Sequence, residues 1–514
     1  MSKTIIIIGA GLAGLSAALQ AAENGCNVKL VSSLPSERAQ SVMAEGGINA
    51  ALNTKDENDS PEEHFTDTIK AACGLADPNA VWRMTQAAPE LVHWLLKLGV
   101  KFNMSGYDDV DLRNFGGQKK KRTAFAQSDT GKQIMTAMID AVRRKEASGM
   151  VERFSHHSFL TLRLCGNICC GCVIRDEYSQ ETVELPGDAV IVATGGMHGL
   201  FGNTTGSLSN TGEVTAELFR LGVPLANGEM IQYHPTTVKC GGKRILISEA
   251  ARGEGGRLFA MKDGKQWYFM EEKYPELGNL MPRDITAREI WKVSHESEVF
   301  LDMTEISEEI ISNKLSGLAD DCMTYLHKDI RKEPVSVLPG IHYFMGGILV
   351  DEQHRTPIQN LYAAGECCAQ YHGANRLGGN SLLGALYGGR VAAKSACEQA
   401  DVVDLSCATQ IDFPPASQIS EIKQLNKVMQ ETMGVVRNEN TLLNGIQTVQ
   451  ALTGNLPLLG MAVLKSALAR KESRGAHWRE DYPKSNDDDY LKTTVARFDG
   501  KQIQISFVPV PERR

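Results

Sequence analysis

Five short polar motifs between residues 234 and 376 carry the groups best able to do chemistry: His234-Pro-Thr, Ser248-Glu249 with Arg252, Pro-Arg283-Asp, His342-Tyr and Gly-Ala-Asn-Arg376. Arginine presents a planar fork that matches a carboxylate, and histidine adds a donor or a titratable ring. Arg283, Arg376, His234 and His342 drawn together beside Glu249 describe a pocket for a small dianion, in which one cation could also donate a proton. On residue types alone, a structural salt-bridge network is the simpler reading of Glu249, Arg252 and Arg283. Redox chemistry in such a pocket needs a cofactor beside it.

The first thirty residues offer a place for one. Thr4 to Ile8 is a β-branched run, Gly9-Ala10-Gly11-Leu12-Ala13-Gly14 follows at once, Leu15 to Glu23 has helical spacing, and Asn27 to Val31 opens a second strand. Strand, glycine turn, helix and strand in that order form a dinucleotide fingerprint: the glycines let backbone approach a pyrophosphate, and the helix start offers unpaired N–H groups to it. The acid that would hold an NAD ribose is missing, because the second strand ends Leu30-Val31-Ser32-Ser33. Later strands at Ala189 to Ala193 and Asn360 to Ala364 run into Thr194-Gly-Gly and Gly365-Glu366, where doubly wound sheets place ligands.

Bulk composition narrows the partners. The chain has 514 residues, 42% hydrophobic and 23% charged, with a net charge of -8, so neither nucleic acid nor anionic lipid is an electrostatic partner. Its longest purely aliphatic run, Ile5 to Ile8, is too short for direct membrane insertion, which makes the cytoplasm the expected location. The twelve cysteines are expected to be reduced. Cys165, Cys169, Cys170 and Cys172 lie around Gly166-Asn167 in an alternating segment that reads as a hairpin, and Cys367-Cys368 lacks ligand spacing, so neither a metal nor an iron-sulfur cluster is expected in the chain.

The glycine turn, Ala44-Glu-Gly-Gly47, Ala-Thr-Gly-Gly at 193 to 196, Asn-Thr-Gly at 210 to 212, Gly-Glu366 and His372-Gly-Ala-Asn-Arg-Leu-Gly resemble the flavoprotein subunit of fumarate reductase and succinate dehydrogenase, a family that includes L-aspartate oxidase. The resemblance covers nearly the whole chain. It implies an α/β, doubly wound FAD-binding domain of residues 1–233 and 343–405, an inserted α+β capping domain of residues 234–342, and a C-terminal helical domain and tail of residues 412–514. FAD would touch Gly9, Ala10, Gly11, Ala13, Gly14, Ser32, Gln40, Ser41, Ala44, Glu45, Gly46, Gly47, Ala193, Thr194, Glu213, Glu366, Ser381 and Leu382. Glu213 stands where most relatives have aspartate.

Aligned without gaps on the respiratory members, Gln40 occupies the position of the histidine that carries FAD covalently, and a carboxamide cannot form that bond. The resemblance therefore implies noncovalent FAD with a lowered reduction potential, which favours giving electrons to an alkene. It assigns His234 and Ser248 to one substrate carboxylate and His342 and Arg376 to the other. Hydride would come from flavin N5 and a proton from Arg283, which Glu249 and Arg252 would recharge. Glu249 and Arg252, three apart, share a face if their segment is helical.

L-aspartate oxidase is the main competitor, favoured by the loop between His234 and Ser248 and by the words Ile-Ser-Glu-Ala. Its substrate carries an ammonium that needs an acid, whereas Arg113-Asn114-Phe115-Gly116-Gly117 puts an apolar ring at that place. Succinate oxidation, reduction of another enoate, and a decayed pocket that only docks electrons complete the alternatives. With no second glycine fingerprint and no cluster ligands, electrons must come from a partner: an iron-sulfur subunit, which would tie the chain peripherally to the inner membrane, or a soluble donor. Ile419 to Met433 and Pro457 to Lys471 have helical spacing after a Pro414-Pro415 break, and Phe507-Val-Pro-Val-Pro-Glu reads as an extended tail.

Overall fold

A computed structural model describes residues 2–106, 109–400, 413 and 418–513. The boundaries placed at 405 and 412 and the Pro414-Pro415 break lie outside the described residues. The β-branched run Thr4–Ile8 becomes the centre of a five-stranded sheet, flanked by Ala189–Val192 and Leu361–Ala363 on one side and by Asn27–Ser32 and Val151–Ser155 on the other. All four pairings are parallel. Ile5, Ile6, Ile7 and Ile8 are buried because helices and a second layer cover both faces, as a parallel sheet requires. The chain order of the strands reverses between Thr4–Ile8 and Ala189–Val192, so a crevice opens at their carboxyl ends.

The glycine turn is dictated by close approach. A Cβ on Gly9, whose φ is +111°, would lie 2.3 Å from Ala193 O, and one on Gly14 would lie 1.8 Å from Gly9 O. Leu12–Glu23 starts directly after the turn and packs its alanines beneath the sheet and against the long helix Asn380–Gln399. Both helices begin at the crevice.

Over the crevice lie two antiparallel sheets. Ile231–Cys240 pairs with Lys243–Leu246 and with Leu338–Phe344, and Arg257–Lys262 pairs with Lys265–Trp267 and Val299–Asp302. Residues 234 and 342, at which the sequence reading divides the molecule, both lie inside paired strands, with His234 opposite Gly340.

Three helices follow near the C-terminus, Ile419–Thr432, Glu439–Val449 and Asn455–Ala469. Their core is shared with Met197, Phe201 and Phe219 rather than being their own. The expected tail is instead a strand: Ile503–Pro509 pairs with Lys492–Phe498, which joins Leu225–Ala226 in a five-stranded sheet. Ile503, Ile505 and Phe507 alternate as a strand demands, and the prolines fall at its end, where an edge tolerates them. The cysteine segment forms the hairpin His157–Cys165 and Ile168–Asp176. Cys169 and Cys172 are buried free thiols, but Cys165 is disulfide-bonded, which corrects the expectation that all the cysteines are reduced. The sequence shows compartment priors for a thiol, not which sulfur folding brings beside it.

Candidate active site

One continuous cavity of about 660 Å³ occupies the crevice and reaches under the antiparallel sheets. Its long arm is lined by Gly9, Ala10, Gly11, Ala13, Ser32, Gln40, Ser41, Ala44, Glu45, Gly46, Gly47, Ala193, Thr194, Glu213, Glu366, Ser381 and Leu382. Of the residues expected at the cofactor, Gly14 alone lies off the wall, where it lets helix and turn touch. The arm suits a large polar ligand: Ser32 Oγ, Gln40 Oε1 and Glu45 Oε2 are buried there without a hydrogen-bond partner among the described residues. Burial, with Asp321 nearby, pushes the Glu45 carboxyl up to about 8, and burial also raises Glu213. Glu366 accepts from Phe344 N at 3.1 Å and faces His198 Nε2 at 3.6 Å.

At the other end His234, Ser248, Glu249, Arg283, His342, Arg376 and Phe115 converge on the same cavity. The strand Ile231–Cys240 delivers His234, and its partner Leu338–Phe344 delivers His342, so the two rings meet with centroids 5.2 Å apart. Ser248 caps the short helix Glu249–Gly253, which places Glu249 and Arg252 on one face, 3.4 Å apart. Arg283 opens the helix Arg283–Val293 and reaches back to Glu249: Nε and Nη2 donate to Oε2 at 2.8 and 2.5 Å. Glu249 Oε1 accepts from Gly116 N at 3.0 Å, and a Cβ on Gly116 would come within 2.6 Å of that oxygen. Arg252 does not line the cavity; it stands behind Glu249, its Nη1 donating to Asn279 O at 2.6 Å, its Nη2 facing Glu249 Oε1 as an ion pair, and its Nε without a hydrogen-bond partner among the described residues.

The electrostatics are lopsided. Arg252, Arg283 and Arg376 are buried; the first two share the single carboxylate of Glu249, and Arg376 has no ion-pair partner among the described residues and feels Glu249 and Glu366 only at longer range, so the pocket keeps a positive excess. Arg376 lies over the Tyr343 ring at 4.5 Å, and its guanidinium has no hydrogen-bond acceptor among the described residues. Burial and the charge of Arg283 bring it down to about 9. Burial, then Arg283, holds His234 and His342 well below the usual histidine range, so both rings are neutral. Their hydrogen bonds aim them: His342 Nδ1 meets Thr205 Oγ1 at 2.8 Å, and His234 Nδ1 lies 3.1 Å from Thr236 O, leaving His234 Nε2 free toward the cavity. Burial would raise Glu249, but Arg283 and Arg252 outweigh it and keep the carboxylate ionised.

Two positioning groups escape the motif reading. Gln232 Oε1 accepts from Arg283 Nη1 at 3.2 Å, while its Nε2 donates to Asn375 Oδ1 at 2.9 Å and to Arg376 O at 2.8 Å, so one amide ties the two arginine segments together. Strand alternation two residues before His234 was the available signal. Thr205 carried none, since its partner lies 137 residues away.

Residues 4–382 match the FAD binding domain family, and residues 452–513 match the fumarate reductase flavoprotein C-terminal family. The chain is 38% identical to the succinate dehydrogenase flavoprotein subunit of Bacillus subtilis, covering 100% of this chain and 98% of that one. The chain belongs to the succinate dehydrogenase/fumarate reductase flavoprotein family. It is 32% identical to the 8-methylmenaquinol:fumarate reductase flavoprotein subunit of Wolinella succinogenes over 100% of this chain and 92% of that one. Among solved structures, E. coli quinol fumarate reductase superposes with a TM-score of 0.90 at 27% identity, covering 99% of this chain and 97% of that one. The family fixes the chain as an FAD-dependent oxidoreductase of the succinate dehydrogenase/fumarate reductase type. No helix among the described residues is long and apolar enough to cross a membrane.

Proposed function

We propose that this flavoprotein reduces fumarate to succinate, holding FAD noncovalently and taking the proton from Arg283. The observation that carries the reading is the positive excess of the pocket, with the Arg376 guanidinium buried and unpaired among the described residues and the donors His234, Ser248 and His342 facing the same cavity, an arrangement that suits a diacid held at both ends. FAD, when bound along the long arm, supplies the hydride. His342 and Arg376 grip one carboxylate, and His234 Nε2 and Ser248 the other, so the carbon between them is fixed before it reacts. Arg283 then gives its proton to the carbanionic carbon, and Glu249, bonded to Arg283 and facing Arg252, returns one from the solvent side. Water is kept out by Phe115, whose ring packs within 3.1 Å of a Cβ built on Gly46 and 3.0 Å of one built on Gly378.

L-Aspartate fits less well. Its ammonium would need an acid, and Glu249 is already engaged by Arg283, Arg252 and the Gly116 N–H. Gln40 supports a noncovalent cofactor: it lines the arm, offers no nucleophile, and by the resemblance stands where the respiratory members carry the attachment histidine. Electrons arrive from an iron-sulfur subunit or a soluble donor, as the relatives' description as flavoprotein subunits suggests. Copurification from the native host tests the partner.

The reaction is tested by reducing the flavin anaerobically and offering fumarate, cinnamate and iminoaspartate. Rapid reoxidation by fumarate alone supports the reading; L-aspartate oxidation under air overturns it. Acid precipitation should release all the yellow colour into the supernatant, and fluorescence that travels with the denatured chain on a gel contradicts noncovalent binding.

A further inference from the structure

We propose that Arg244 is a further carboxylate-binding cation of this pocket, standing at its mouth to capture the dianion and pass it to Arg376 and His342. The inference rests on the dicarboxylate reading above and adds a residue that none of the five motifs contains. Arg244 lines the same cavity, on the short strand Lys243–Leu246 that pairs with the strand bearing His234. Its side chain crosses Gly340, where a Cβ would come within 2.4 Å of Arg244 Nε, two residues before His342. Its backbone N bonds to Thr204 O at 3.3 Å, next to Thr205, whose hydroxyl holds His342 Nδ1. These contacts put the side chain across the two paired strands that deliver His234 and His342, on the wall of the same cavity. Arg244 is half-exposed where Arg283 and Arg376 are buried, which makes it the rim and them the floor.

The group is also uncompensated. Among the described residues Arg244 enters no ion pair, and its one side-chain hydrogen bond runs from Nε to Thr237 Oγ1 at 2.8 Å. That bond staples the hairpin but leaves both Nη groups to the cavity. A cation held without a counter-ion on the wall of a cavity that two more cations line raises the local concentration of an anion there and is relieved when one arrives. Lys243, exposed on the same turn, extends the positive rim toward solvent.

The test uses the holoenzyme and its Arg244→Gln, Arg244→Lys and Thr237→Val variants. Fumarate reduction is driven by reduced methyl viologen at rising sodium chloride, and malonate, a dicarboxylate that cannot be reduced, is titrated against the flavin absorbance. For Arg244→Gln we expect the fumarate KM and the malonate Kd to rise about tenfold, the size of one hydrogen bond to a charged group. We expect kcat to stay within about twofold, since the interaction precedes the chemical step, and the fall of kcat/KM with salt to flatten. Arg244→Lys should recover the salt dependence and most of the affinity, and Thr237→Val, which removes the staple and keeps the charge, should bind malonate normally. Unchanged KM, Kd and salt slope in Arg244→Gln overturn the proposal. So does a Thr237→Val variant as weak as Arg244→Gln, or a lysine that rescues nothing. If the parent enzyme binds malonate but ignores fumarate, the reaction assignment fails while the malonate series still decides the role of Arg244; if it binds neither, both fail.

Discussion

Arg376 at the end of the cavity and Arg470 behind the C-terminal helices are both buried, 3% and 0% exposed, and both have glutamates nearby, yet they are held in opposite ways. Arg470 spends its whole fork: Nε on Glu229, Nη1 on Glu472 and Tyr490 O, Nη2 on Lys492 O and Thr494 Oγ1, all at 2.7 or 2.8 Å. Glu472 in turn accepts from Arg474. Arg376 has no acceptor among the described residues, and its neighbour Arg283 repels it. A buried charge is costly unless paired, so a fully paired cluster is architecture and an incompletely paired one is a site waiting for its counter-ion. Residue type does not separate the two; the count of unmet donors does.

The largest expected contrast comes from Arg283→Ala against Arg470→Met. Removing the proposed proton donor should slow fumarate-driven flavin reoxidation by about a thousandfold, while the melting temperature barely moves, because Glu249 keeps Arg252 and the Gly116 N–H and the repulsion on Arg376 is relieved. A loss under tenfold in stopped-flow reoxidation would remove Arg283 from the proton path. Arg470→Met should do the reverse: it strands Glu229 and part of Glu472, and costs about 3–5 kcal/mol in urea unfolding, with the rate per folded flavoprotein unchanged. Should Arg470→Met unfold like the parent, or Arg283→Ala lose stability on the same scale, the distinction between filled and open clusters fails.

What could be read in the sequence divides along the same line. The glycine turn and the parallel strands were legible because their constraints are local: a Cβ on Gly9 or Gly14 has nowhere to go, and the isoleucine run is a buried strand. Arg283, Glu249 and Arg376 were legible through motif words. Gln232 and Thr205 were not, since each acts on a residue brought in by folding, and neither type signals a role. The Arg470 cluster was invisible as structure because its main acid, Glu229, lies 241 residues away. The closing hairpin was obscured by its prolines, and Arg244 by its place on a turn-proximal strand outside any motif.

The smallest effect we expect is the pH profile of kcat/KM, which reports the free enzyme and so sharpens the picture of an open cluster. His234 and His342 are held neutral by burial and by Arg283, so they cannot be the cations that bind the dianion, and no inflection should occur near the ordinary histidine pKa of 6.5. Glu249 is held below its ordinary range, so it stays ionised into acid. The upper edge should belong to Arg376, the proposed carboxylate ligand: its charged form dominates below about 9, so kcat/KM should hold as pH rises to that point and then fall about tenfold per unit. Arg376→Gln should be low throughout and lack the upper break. A fall beginning near pH 6.5 in the parent enzyme would mean that the histidines bind as imidazolium, and the pocket's charge would then come from its rings rather than from the guanidinium left unpaired.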